Sequence, residues 1–419
     1  MLKKFCLTLI VFFAASVSHD CVAAITKSGS APLSYGSQVT LTSEVLGRDH
    51  KVDIYLPQGY ELMGDSVRYP VIYTLDGWTL SHGVSGIVSH LGNTASMPKS
   101  IVVALHTPNL LEYLPKLKRV SGWRLGDSPS SVDKYMQFLK SELIPYIDKK
   151  YRTNDFRALI GMSPTAILAL HTFLNEPELF DAHYLFAAMN IFDLGYEEDT
   201  RLLDVLMSSL EQNPNRKGHL YISSAASDLA RRPKQNAYME ELRARFAKLD
   251  LKNLKYKIEA IEEGGHYPMA MAATISAIHF SFPTSQLEQL RKIVEEPGDA
   301  LKKIDAFYTQ LSSEYGYDIY PVTDLNRNVN CLRGVGYYLL RQERGEEAID
   351  IFKRWTQLSP NDGNAYDSLA DAYEVMGKHD LALKAHEKAV NIARRSIDTR
   401  LELFQQNLSD FKLRMAEKS

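Results

Sequence analysis

The sequence predicts an α/β protein, with a doubly wound, mostly parallel sheet over about residues 38–285 and an all-α tail behind it. Continuous runs rich in β-branched residues at 71–75 and 101–105 have the pattern of strands buried on both faces, as in a parallel sheet. Helix-like segments alternate with strand-like ones, which places helices on both faces of that sheet. After about residue 285 the strand patterns stop, and small and apolar residues recur at a spacing of 34, as Ala348 and Ala382 do.

In chain order, Lys3 and Lys4 precede an apolar run from Phe5 to Val17 and a small-residue stretch ending in Ala23 and Ala24, the pattern of a secretory signal peptide over residues 1–24. The run is about 13 residues, shorter than the roughly 20 that a spanning helix needs, and no later segment reaches that length. An exported protein, periplasmic or secreted and without a membrane span, is expected. The residues before Cys21 do not form a bacterial lipoprotein processing site, which favours a free protein over a lipid anchor. Of the 3 cysteines, Cys6 and Cys21 lie in or at the edge of the signal, so Cys331 stands alone and the mature chain must rest on its apolar core. A formal charge of −3 and the absence of basic clusters argue against nucleic acid as a partner.

Within the α/β region, 25–285, residues 38–45 and 51–56 alternate as strands do, and 131–149 reads as a helix that opens with serines and ends in lysines. Further strands are expected at 157–160, 219–223 and 254–261, with the site at the strand carboxyl ends. A helical linker, 286–328, leads to tetratricopeptide-like repeats over 329–419. The spacing of 34 also relates Leu332 to Tyr366, Val335 to Leu369 and Gly336 to Ala370, and Ala389 and Pro360 fall on the motif's small-residue and repeat-ending positions, while Trp355 replaces an expected alanine. Two motifs fit, 329–362 and 363–396, flanked by helices at 298–313 and 397–417. Repeat helices bury their apolar faces mainly against neighbouring repeats, so the tail core should be largely separate from the sheet, with its surface open to a protein partner.

Residues 157–170 read Arg-Ala-Leu-Ile-Gly-Met-Ser-Pro-Thr-Ala-Ile-Leu-Ala-Leu, a short strand, a Gly-x-Ser turn and an apolar helix, a frame that exposes a serine hydroxyl. Acyl transfer by serine needs a nucleophile, a base, usually a carboxylate to hold the base, and donors for the oxyanion. Ser163 is the candidate nucleophile, and His266, in Glu-Glu-Gly-Gly-His-Tyr-Pro after the strand 254–261, is the candidate base. Asp228, after the strand 219–223, would complete the order Ser, Asp, His. Ser163-Pro164 also fits an ordinary helix start, His266 a surface loop, and Asp228, near Arg231 and Arg232, a helix cap; the joint placement of Ser163 and His266 after strands favours catalysis. Pro164 lacks the backbone N–H that normally forms half of the oxyanion hole.

Residues 38–285 resemble the Putative esterase family of α/β-hydrolases, the group of esterase D, enterochelin-type esterases and periplasmic siderophore trilactone esterases. The resemblance is carried by Val45-Leu46-Gly47-Arg48, Tyr55-Leu56-Pro57, Tyr69 to Gly77, Glu142 to Asp148 with Tyr151-Arg152-Thr153, Gly161-Met162-Ser163, Pro177 to Phe180, and His266. It implies a carboxylic ester hydrolase without cofactor or metal, acting on a small-molecule ester with Ser163 and His266 as a dyad or, with Asp228, a triad. It also implies oxyanion or substrate contacts at Gly77, Trp78 and Met162. The family's Gly-His-Ser-x-Gly-Gly reads here Gly161-Met162-Ser163-Pro164-Thr165-Ala166, so Thr165 sets a β-branched side chain where glycine lets helix and strand approach. The segment Ala187-Ala188-Met189-Asn190-Ile191-Phe192 replaces the family's Ser-Pro-Ser wall with aromatics. These departures define the rival reading, a degenerate hydrolase that binds a ligand or protein through its pocket and repeats.

Overall fold

The computed structural model describes residues 34–107, 110–120, 130–283, 290–296, 298–324, 330–396 and 398–418. The expected signal segment, 1–24, lies outside them. The strands are β1 (Ser37–Ser43), β2 (Arg48–Tyr55), β3 (Tyr69–Thr74), β4 (Ile101–Leu105), β5 (Thr153–Met162), β6 (Ala182–Phe186), β7 (Gly218–Ala225) and β8 (Leu254–Ile261). They form one sheet in the order β1-β2-β4-β3-β5-β6-β7-β8. β1 and β2 pair antiparallel, as do β2 and β4, and every pairing from β4 to β8 is parallel. β3, β4 and β6 are buried along their whole length, whereas the edge strand β1 is exposed at alternate positions. β6, Ala-His-Tyr-Leu-Phe, holds no β-branched residue, which explains its weak sequence signal.

Helices α1 (Gly77–Asn93), α2 (Leu110–Tyr113), α3 (Val132–Phe138), α4 (Ile144–Lys150), α5 (Pro164–Asn175), α6 (Leu202–Gln212), α7 (Ala226–Arg231), α8 (Pro233–Phe246) and α9 (Met269–Ser281) accompany the sheet. The single helix expected at 131–149 is α3 and α4 joined by a π-helical turn, Leu139–Leu143. Pro145 accounts for the widened turn, since it has no N–H to donate back along the helix.

The tail is α10 (Leu290–Glu295), α11 (Ala300–Tyr315), α12 (Leu332–Arg341), α13 (Gly345–Leu358), α14 (Gly363–Val375), α15 (His379–Ser396) and α16 (Leu401–Lys418). α12–α13 and α14–α15 are helical hairpins. A Cβ on Gly336 would lie 2.3 Å from the Phe352 ring, so glycine is what lets α12 and α13 cross this closely. Among the described residues no helix is long and apolar enough to cross a membrane.

The tail core is not separate from the sheet. Ile304, Leu339, Phe352 and Trp355 belong to the same contiguous apolar cluster as the strands, while a small group around Ala389 and Phe404 packs by itself. The cause is the junction. The Tyr317 ring lies 5.2 Å from Phe156 of β5, and Tyr315 stacks 5.7 Å from Phe282. At the end of α13 the Leu358 carbonyl accepts a hydrogen bond from the Gly64 N–H at 2.8 Å, and just beyond it the Asn361 N–H donates to the Leu62 carbonyl at 3.3 Å.

Candidate active site

Ser163 sits between β5 and α5 with φ 53° and ψ −110°. Positive φ strains a residue with a Cβ by roughly 1–3 kcal/mol, while this ψ keeps the serine out of the α region that a following proline disfavours. The surroundings hold it there: the Ser163 N–H donates to the Phe186 carbonyl at 2.9 Å. A Cβ on Gly161 would meet the Thr165 carbonyl oxygen at 2.5 Å, so Gly161 admits the close approach of α5 to β5. Thr165 does not hold helix and strand apart, contrary to the expectation from sequence. It is buried, and its Oγ1 accepts from the Met162 N–H at 2.7 Å and bonds the Asp76 carboxylate.

The Ser163 side chain makes no capping bond to α5. It turns instead to His266, whose Nε2 lies 2.9 Å from Oγ, and His266 Nδ1 lies 2.6 Å from Asp228 Oδ2. Three strand ends thus converge: β5 supplies the serine, the first turn of α7 after β7 the aspartate, and the loop between β8 and α9 the histidine. In that loop Gly264 adopts φ 80°, and a Cβ there would lie 2.9 Å from Pro268, which explains the first of the two glycines before His266. The Asp228 side chain is 3% exposed. Burial pushes its carboxyl up, but hydrogen bonds from His266 and Arg231 outweigh that and hold it below the usual carboxylate range. An ionised Asp228 keeps the proton on Nδ1 and leaves Nε2 to accept from the serine hydroxyl.

Gly77 and Trp78 are the first two residues of α1, where N–H groups have no acceptor within the helix. Residue 77 must be glycine, because a Cβ would lie 2.8 Å from the Leu105 carbonyl. Trp78 is 72% exposed, its ring standing edge-on to His106 at 4.7 Å. Met162 is the departure: its side chain is buried in the core and its N–H is taken by Thr165, so it offers no donor to an oxyanion. Asn190, read from sequence only as part of a divergent wall, reaches the site, its Nδ2 donating to Ser163 Oγ at 3.1 Å. Nothing in the local sequence marks it.

Residues 43–280, more than half of the chain, match the family model described as Putative esterase. The chain belongs to the Putative esterase family. It is therefore a carboxylic ester hydrolase acting on a small-molecule ester. An IroE-like serine hydrolase from Shewanella oneidensis superposes on this esterase with a TM-score of 0.56 at 19% identity, over 77% of this chain and 99% of that one. An uncharacterised protein from Capnocytophaga ochracea gives 0.52 at 18% identity, over 90% of this chain and 99% of its own. Both show the α/β-hydrolase fold. A search of curated proteins returns no match.

Asp76 lies between the two halves of the esterase's site, because it occupies the N-cap position of α1, without a side-chain capping bond, and bonds Thr165, two residues after Ser163. Burial raises its carboxyl to about 6 despite the hydrogen bonds from Thr165 and Met162, which act the other way. Between about pH 4 and 6 the folded chain therefore holds a proton that the unfolded chain has lost. Stability contributed by this group falls as pH rises through that window and levels off above it. Asp76→Asn keeps an acceptor for Thr165 without the titration. Denaturant midpoints at about pH 4 and 7 should show the variant gaining on wild type by up to about 3 kcal/mol at the higher pH; an equal difference at both values would refute the buried, raised carboxyl.

Proposed function

We propose that this esterase is an exported serine hydrolase that works through an acyl-enzyme, with Ser163 as nucleophile, His266 as base and Asp228 as the carboxylate that orients the base. The unbroken chain Asp228–His266–Ser163, with 2.6 and 2.9 Å links, carries the reading. As Oγ attacks the ester carbonyl, its proton passes to Nε2 and the carbonyl electrons move onto oxygen, where the Gly77 and Trp78 N–H groups receive the charge. Collapse expels the alcohol, which takes the proton from Nε2; water then repeats the sequence and frees Oγ.

The resemblance to enterochelin-type and siderophore trilactone esterases suggests substrates of that class. The exposed rings of Trp78 and Tyr267, beside Gly77 and His266, would give such a substrate apolar faces. The amino-terminal pattern supports export, and the 34-residue spacing supports a tetratricopeptide-like tail that binds a protein partner. Fluorophosphonate labelling of the full chain, together with p-nitrophenyl ester turnover, tests the serine mechanism without knowledge of the substrate. Absence of both in folded protein would refute it.

The carboxylate has its own test. Asp228→Asn should lower kcat by up to about 10⁴ while labelling persists slowly, because the histidine loses its fixed tautomer. Retention of most activity would leave a Ser163–His266 dyad.

A further inference from the structure

Ser163 Oγ has a second polar neighbour besides His266. Its single proton is directed to His266 Nε2 at 2.9 Å, so toward Asn190 the oxygen can only accept, and the carboxamide must present its N–H at 3.1 Å. Asn190 ends the short helical turn Ala188–Asn190 after β6, entered through Ala187 at φ 49° and fixed by the Met189 N–H donating to Ser224 Oγ at 2.9 Å. Ala188, Met189, Ile191 and Phe192 on either side are buried. The amide is thus held by a rigid turn. It also leaves its own Oδ1 buried without a hydrogen-bond partner, a cost of about 1–3 kcal/mol that a purely structural amide would avoid.

We propose that Asn190 is a catalytic residue, a hydrogen-bond donor to the nucleophile oxygen itself, distinct from the donors that serve the carbonyl oxygen. The proposal rests on the serine mechanism above. When Nε2 takes the proton and the Oγ–C bond forms, the Asn190 N–H stabilises the negative charge passing through Oγ. When water attacks the acyl-enzyme and the C–Oγ bond breaks, the electron pair returns to Oγ, and the same N–H stabilises it until Nε2 hands the proton back. Asn190 transfers no proton in either half.

Asn190→Ala and the isosteric Asn190→Asp, which replaces the donor by an acceptor, test this in the full chain. A lost hydrogen bond to a charged group should lower kcat and the second-order rate of fluorophosphonate labelling together, by roughly 10–10²-fold in Asn190→Ala. Asn190→Asp should lose more, with KM close to wild type in both and the melting temperature of Asn190→Ala no lower than wild type, since the unpaired Oδ1 goes with the amide. A role in packing the turn would instead lower the melting temperature of Asn190→Ala or raise KM and spare the labelling rate. Wild-type kcat and labelling rate in either folded variant would overturn the proposal while leaving the serine mechanism intact. Wild type that neither labels nor turns over ester refutes that mechanism and the role of Asn190 with it.

Discussion

Ser163→Ala is expected to abolish fluorophosphonate labelling and to lower ester turnover by roughly 10⁶-fold, and His266→Ala to do nearly the same. The magnitude follows from the way the site is coupled. Oγ, Nε2, Nδ1 and Oδ2 form one line of hydrogen bonds, and the proton transfer from Oγ to Nε2 needs both Ser163 and His266, so removing either stops the step that they share. The double variant should be little worse than either single one, because residues that act as a unit are not additive. Folding should not suffer, since Ser163 Oγ caps no helix and the bonds that hold the elbow come from its backbone and from Thr165. Equal labelling of wild type and Ser163→Ala would place the reactive group elsewhere and overturn Ser163 as the nucleophile.

The parts of this site that the sequence announces are those whose residue type is forced by local geometry. Gly161 is required where α5 meets β5, Gly77 where α1 meets Leu105, and Gly264 where the chain turns toward His266. Each leaves a glycine at a strand end, and the strands 101–105 and 254–261 are found to the residue. Asp228 was ambiguous because an acidic residue in a first helical turn beside two arginines has an adequate explanation without chemistry. It does in fact bond Arg231 at 2.9 Å as well as His266. Asn190 was illegible, since its importance depends on a turn after one strand meeting the end of another, and an asparagine in a loop carries no signature of that. The elbow misled in the opposite sense. Pro164 and Thr165 departed from the family pattern, yet Thr165 fits by bonding Met162 and Asp76, and only the missing N–H remains to be accounted for.

Truncation after Glu296 is expected to leave no folded esterase, even though the residues of the site all lie before it. Sequence spacing reports contacts that recur, such as Gly336 against Phe352, and so it gave the tail hairpins their own core. The contacts that join tail to sheet do not recur. Tyr317 covers Phe156, Tyr315 covers Phe282, and Ile319, Tyr320 and Val322 line one pocket with Val67, Tyr69 and Met97. The Tyr320 hydroxyl adds a bond to the Ser66 carbonyl at 3.2 Å. Uncovering a large apolar side chain costs roughly 1.5–3 kcal/mol. Phe156 and Phe282 together then account for up to about 3–6 kcal/mol, a large share of the roughly 5–15 kcal/mol by which a domain is stable. The truncated chain should be found in the insoluble fraction, or unfold well below the full protein's melting temperature, and should lose fluorophosphonate labelling. A soluble, cooperatively unfolding fragment that labels at the full chain's rate would show that the junction is dispensable and that the tail is a separate binding module after all.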